Sequence, residues 1–144
     1  MITSKKSFTL IEVLIFVTIL SLFFVVAAAV TIASLRNLKV QEHKILATRY
    51  AQELVEWLRG EKEVDWNQFT TYTGKYCFNS SPITSWGSLG NCSDYGLNNL
   101  YKREVNLTVQ GNPAYQVNVS ITVLWQELGQ TYKIPINTVF TVWE

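Results

Sequence analysis

KKSFTLIEVLIF, residues 5–16, places two lysines before an apolar run and a single carboxylate, Glu12, inside it. From Val13 to Leu35 there is no charged residue, and Thr18, Ser21, Thr31 and Ser34 are the only polar ones. That run exceeds the ~20 residues a helix needs to cross the hydrocarbon core of a bilayer. Lys5 and Lys6 favour a cytoplasmic N-terminus and an exported C-terminal part, although Arg36 and Lys39 beyond the run soften the asymmetry. Ala27-Ala28-Ala29 would offer a signal-peptide cleavage site, but the apolar pattern continues through it to Leu35, so a retained single-pass anchor is expected.

Beyond the anchor the apolar pattern turns helical. Ala47, Tyr50, Ala51, Leu54, Val55 and Leu58 recur at one face of a 3.6-residue repeat, with Arg49, Gln52, Glu53, Glu56 and Arg59 between them. No proline or glycine interrupts the chain from Phe8 to Arg59, and Gly60 offers a stop. One helix is therefore expected: a membrane half over 8–35 and an amphipathic half over 36–60. Residues 61–100 read as mostly irregular, with Ser80-Ser81-Pro82, Trp86-Gly87, Gly90-Asn91 and Asn98-Asn99 as loop signals. Over 101–144, Val105, Leu107 and Val109, then Tyr115 through Trp125 at every second position, then Tyr132, Ile134, Ile136, Phe140 and Val142, keep a period of two. Three such segments joined by short turns predict an antiparallel meander with one face on a core. Pro135 cannot donate to a ladder, which places the last strand at an edge or a bulge. The fold class is α+β: a long N-terminal helix packed on a small antiparallel sheet.

The net charge of +1, spread along the chain, carries no nucleic-acid footprint. Cys77 and Cys92 are the only cysteines, and on an exported domain an even count points to a disulfide. Two free thiols or half a metal site are the alternatives; the spacing is far from CxxC and the lone His43 lies on another segment. The bridge would contribute roughly 3 kcal/mol by closing a loop of about 16 residues. His43 reads as a solvated surface residue, Asp65 and Asp94 have no companions resembling a calcium loop, and no phosphate-binding glycine run occurs. Neither an enzyme, a metal nor a cofactor is expected. The aromatics between Tyr72 and Tyr95 read as a small satellite core around the disulfide, with ligand binding as the other possibility. Four N-x-[ST] matches, at Asn79, Asn91, Asn106 and Asn118, read as chance in a chain this rich in Asn, Ser and Thr.

The order of basic leader, Ser7-Phe8-Thr9-Leu10-Ile11-Glu12-Val13, membrane helix and sheet domain resembles the type IV pilins and type II secretion pseudopilins, whose precursors share a G-F-T-L-[IV]-E signature. The resemblance implies a leader over 1–7, cleavage between Ser7 and Phe8 by a prepilin peptidase, methylation of the new Phe8 amine, and a role for Glu12 in joining subunits. It also implies other pilin or pseudopilin subunits and an inner-membrane assembly platform as partners, with membrane lipid around the helix before assembly and a surface or periplasmic filament afterwards. The family's glycine before the cut is Ser7 here. Ala51-Gln52-Glu53-Leu54-Val55-Glu56-Trp57-Leu58-Arg59 and the tail Val123-Leu124-Trp125, Gly129, Thr138, Thr141-Val142-Trp143 are similar to minor pilins of the pilus-modification or pseudopilin-I type.

Glu12 has a second reading. Thr9-x-x-Glu12 fits a capping box, with Thr9 as N-cap and Glu12 at the third helical position. The capping and joining roles are compatible; the rival function is an uncleaved single-pass membrane protein displaying a sheet domain as a binding module. The filament reading needs both the cut at Phe8 and the carboxylate of Glu12; the display reading needs neither.

Overall fold

The computed structural model describes residues 9–127 and 129–143. The chain divides into two compact units, Met1–Glu42 and His43–Glu144, and the first helix, α1 (Leu10–Val64), contributes to both.

In the first unit α1 is apolar and exposed on every side from Val13 to Leu35: Val13 through Val17, Phe23, Phe24 and Leu35 all face outward. It is long and apolar enough to cross a membrane. Its hydroxyls suit that surrounding, because Thr18 Oγ1 donates to the Ile15 carbonyl at 2.8 Å, Ser21 Oγ to Thr18 at 2.9 Å and Thr31 Oγ1 to Ala27 at 2.9 Å. Hydroxyls that bond back onto their own helix need no water, so they can sit in hydrocarbon.

In the second unit α1 buries one stripe, Ala47, Ala51, Leu54, Leu58 and Lys62, spaced at one helical face. The small Ala47 and Ala51 are fully buried, as are Leu54 and Leu58. The stripe continues past Gly60, where a stop was expected: one glycine costs a helix only about 1 kcal/mol, and Glu61-Lys62-Glu63 are good helix formers. The Asp65 carboxylate then accepts from Gln68 N at 3.0 Å and caps a short second helix, α2 (Trp66–Phe69).

The sheet has five antiparallel strands: β1 (Gly74–Cys77), β2 (Ser88–Leu89), β3 (Tyr101–Gly111), β4 (Ala114–Glu127) and β5 (Gln130–Thr141), in the order β2-β1-β3-β4-β5. The meander β3-β4-β5 is the expected one. Strands β1 and β2 are additions from within the stretch expected to be irregular. They are too short, at four and two residues, to show a period of two, and Gly74 enters β1 with φ +89°. Pro135 sits on β5, which is an edge strand, opposite Thr122.

Registration stacks the core face in rows: Val109, Val117 and Phe140; Leu107, Val119 and Thr138; Val105, Ile121 and Ile136; Arg103, Val123 and Ile134; Tyr101, Trp125 and Tyr132. Val117, Val119, Ile121, Val123 and Trp125 are all buried, so β4 is the spine of the core and its alternation is complete. Phe69, Phe78, Ile83 and Leu97 from the connecting segments close the same cluster.

Candidate functional site

The helix begins where the motif places it. The Thr9 carbonyl accepts from Glu12 N at 3.1 Å and from Val13 N at 3.3 Å, so Thr9 stands at the N-cap position and Glu12 in the first turn. A carboxylate there faces the positive end of the helix dipole, an interaction that contributes some 0.3–1 kcal/mol. The side chain is exposed, and among the described residues it makes no hydrogen bond or ion pair. Lys5, Lys6, Ser7 and Phe8, the other positions singled out in the sequence, lie outside the described residues.

Cys77 and Cys92 are joined as a disulfide. It ties the end of β1 to the segment between β2 and β3, and the bridge is not the only tie. Arg103, fully buried in a row otherwise made of Val123 and Ile134, carries most of the rest. Its Nε donates to the Phe78 carbonyl at 3.1 Å, one Nη to the Ser80 carbonyl at 2.7 Å, and the other to the Tyr50 carbonyl and to Glu53 Oε2 at 2.9 Å. Asn79 Oδ1 accepts from Arg103 N at 3.2 Å, and Glu53 also accepts from Ser81 Oγ at 3.0 Å. One guanidinium thus fastens α1, β3 and the chain after β1 together, using the planar fork that a lysine lacks. Burial pushes the Arg103 guanidinium below its ordinary value, while its hydrogen bond and charge pairing with Glu53 pull it back up.

Sequence reasoning passed over Arg103. Its signal was positional: the β3 row read from Val105 and Leu107, extended two residues back, puts Arg103 on the core face. His43 also departs from expectation. It is half-buried, with Nδ1 2.6 Å from the Tyr101 hydroxyl and its ring beside Trp125, so it belongs to the helix–sheet seam. The aromatics of residues 72–86 pack into the core cluster: Trp86 stacks on Tyr72 with centroids 3.6 Å apart, touches Trp57 and Phe78, and donates Nε1 to Glu61 at 3.2 Å. Among the described residues no group of three His, Cys, Asp or Glu side chains is placed to hold a metal ion.

Compared with known proteins, residues 2–28 match the prokaryotic N-terminal methylation motif. This chain carries a prepilin-type N-terminus. The methylation motif is the hallmark of type IV pilins and pseudopilins, and its matched span holds Glu12 and most of the exposed apolar helix. No curated protein and no solved structure matches the chain. The motif and the exposed apolar helix mark a membrane-anchored, type IV pilin-like protein of the prepilin-processed kind. They favour a structural subunit over an enzyme.

Proposed function

We propose that this chain is a minor pilin or pseudopilin. In this reading a prepilin peptidase cuts it between Ser7 and Phe8, the new Phe8 amine is methylated, and the product is built into a type IV filament or a secretion pseudopilus. The observation that carries the reading is Glu12: an exposed carboxylate without a side-chain partner among the described residues, in the first turn of an apolar helix, inside the methylation motif.

A carboxylate in a membrane helix costs roughly 2.5–3.5 kcal/mol at the bilayer centre, less near the interface, unless it finds a partner. Cleavage creates a cationic amine on Phe8. A neighbouring subunit shifted along the filament axis brings its own amine against Glu12, and the two charges neutralise each other in a charge-assisted hydrogen bond. That pairing offsets the burial cost of each group and fixes the axial stagger between subunits, while the apolar helices bundle around it. Before assembly the helix rests in the inner membrane with Lys5 and Lys6 on the cytoplasmic side, and the sheet domain is exported, where its disulfide is stable. The partners are other pilin or pseudopilin subunits, the prepilin peptidase and the inner-membrane assembly platform. The similarity of the Ala51–Arg59 stretch and of the Val123–Trp143 tail to minor pilins supports the minor assignment.

The test is the intact mass and N-terminal sequence of the protein recovered from cells that hold a prepilin peptidase. A chain beginning at N-methyl-Phe8 is the expected product. A chain that still begins at Met1 would sink the filament reading and leave an uncut anchor displaying a sheet domain.

A further inference from the structure

The sheet's second face, turned away from α1, holds a patch of neutral polar side chains. On adjacent strands Asn106 lies opposite Ser120, which lies opposite Asn137, and in the next row Thr108 lies opposite Asn118, which lies opposite Val139. Two of the four N-x-[ST] matches generate this arrangement. On a strand, residues i and i+2 share a face, so each match delivers an amide and a hydroxyl to the same side, and antiparallel pairing sets the amide of one against the hydroxyl of the other.

These residues line a concavity of about 310 Å³, at the small end of the range for small-molecule sites. Charge is missing from it. The next row outward, Gln110, Gln116 and Thr141, is neutral as well; Glu104, Lys102 and Lys133 lie beyond the opposite end of the grid. Among the described residues, the one side-chain hydrogen bond made by the grid is from Gln116 Nε2 to Asn118 Oδ1, at 2.8 Å. The remaining amide and hydroxyl groups of this face are left to outside partners.

We propose that this face binds a neutral glycan chain. An amide both donates and accepts, and so does a hydroxyl, which is the pattern that sugar hydroxyls present in return. With strands ~4.8 Å apart and alternate residues ~6.7 Å apart along each strand, the grid is a regular array along an open concavity, suited to an extended, unbranched chain such as a β-1,4-linked one. Val139 supplies an apolar contact for the CH face of a ring. A protein partner fits less well: the anchors that dominate protein interfaces are Trp, Tyr and Arg, and the grid has none. The inference concerns the sheet domain and does not depend on assembly into a filament.

The experiment uses the full chain in a detergent without a sugar headgroup, titrated separately with cellohexaose and chitohexaose and followed by calorimetry and amide chemical shifts. Saturable binding of either glycan is expected, with shift changes centred on the outer face of β3, β4 and β5. Asn118→Asp, at a half-buried position, and Asn137→Asp, at an exposed one, each remove donors and each weaken binding by about tenfold, the scale of one hydrogen bond. Asn137→Ala weakens it similarly without adding a charge, and Lys133→Ala, on the same face beyond the grid, leaves it unchanged. Absence of saturable binding of both glycans would overturn the proposal, as would binding that survives all three asparagine substitutions. Self-association of the chain that Asn137→Asp abolishes and glycan does not disturb would overturn it in favour of a second copy of the domain.

Discussion

Replacing Arg103 separates what a buried charge contributes from what its geometry contributes. Arg103→Met keeps most of the stem and removes the guanidinium. Glu53, whose side chain is 31 % exposed, can turn to water, and the Tyr50 carbonyl keeps its place in the helix ladder. The Phe78 and Ser80 carbonyls lose their donors, at about 1–3 kcal/mol each when buried. Relief from holding a guanidinium out of water returns part of that, so the net loss is about 2–4 kcal/mol. Arg103→Lys is the discriminating variant. It keeps the charge, but one ammonium cannot reach the Phe78, Ser80 and Tyr50 carbonyls in their three directions, so it too should lose about 2–3 kcal/mol. Glu53→Gln keeps an acceptor for the guanidinium and removes only a partly screened charge, at a cost of about 1 kcal/mol. Urea unfolding of the detergent-solubilised protein reads all three as free energies, and in a thermal melt each kcal/mol corresponds to roughly 4–8 °C for a domain of about 100 residues. Hydrogen exchange at Phe78 N, which bonds the Arg103 carbonyl, and at Cys92 N, which bonds Glu104, reports on the segment directly. Arg103→Lys within about 0.5 kcal/mol of the parent, with unchanged exchange at both amides, would refute the claim that the fork fastens the segment.

Three further outcomes follow from the geometry. Glu12→Gln keeps the size of the side chain and removes its charge; processing should be unaffected while incorporation into sheared filaments falls about tenfold, and normal incorporation would remove the charge pair from the assembly mechanism. Replacing Cys77 and Cys92 together by serine opens a bridge spanning 15 positions and should lower stability by roughly 3 kcal/mol, with the Arg103 fork retaining β1 in the sheet; unfolding curves with and without reductant check the size of the loss. At Gly87 an added Cβ would fall onto the Cys77 carbonyl oxygen, which as backbone cannot give way, so Gly87→Ala should destabilise by about 1–3 kcal/mol, whereas Gly60→Ala, in open space within α1, should stabilise by up to about 1 kcal/mol; paired thermal melts would show both signs.

What could be read from residues alone followed from the length of each pattern. The β4 alternation from Val117 to Trp125 and the α1 stripe from Ala47 to Leu58 each run long enough for a period to declare itself, and both faces are buried as that period requires. The strands β1 and β2 have no such length, and what holds them is distant: Tyr76 pairs with Val105 on one side and Leu89 on the other. Long-range pairing of this kind leaves no local trace. His43 was misjudged for a related reason. On its own segment it stands among Glu42 and Lys44, and the arrival of Tyr101, 58 positions away, and of Trp125 takes it from water. Arg103 was hidden by its chemistry, since a cation in the sequence Lys102-Arg103-Glu104 looks like an exposed strand end until the row it belongs to is followed inward.

Arg103 and Glu12 pose the same problem and meet it differently, which bears on assembly. Each is a single charge set into an apolar pattern. Around Arg103 the fold supplies three backbone carbonyls and a carboxylate, and two of the carbonyls come from a segment that the disulfide also holds. Such outlay of structure is what a buried charge demands when its partners must come from its own chain. Around Glu12 the described residues supply only the start of a helix and its dipole. A helix end offsets a fraction of what hydrocarbon would cost a carboxylate, since the dipole contributes at most about 1 kcal/mol at an exposed site against several for burial. In the proposed filament that difference would go to a cation arriving with a second subunit, and it would be lost again if that subunit stopped out of register. On the proposed assembly, a charge left without compensation in the monomer would therefore serve as a gauge for axial position, which a neutral helix end could not provide.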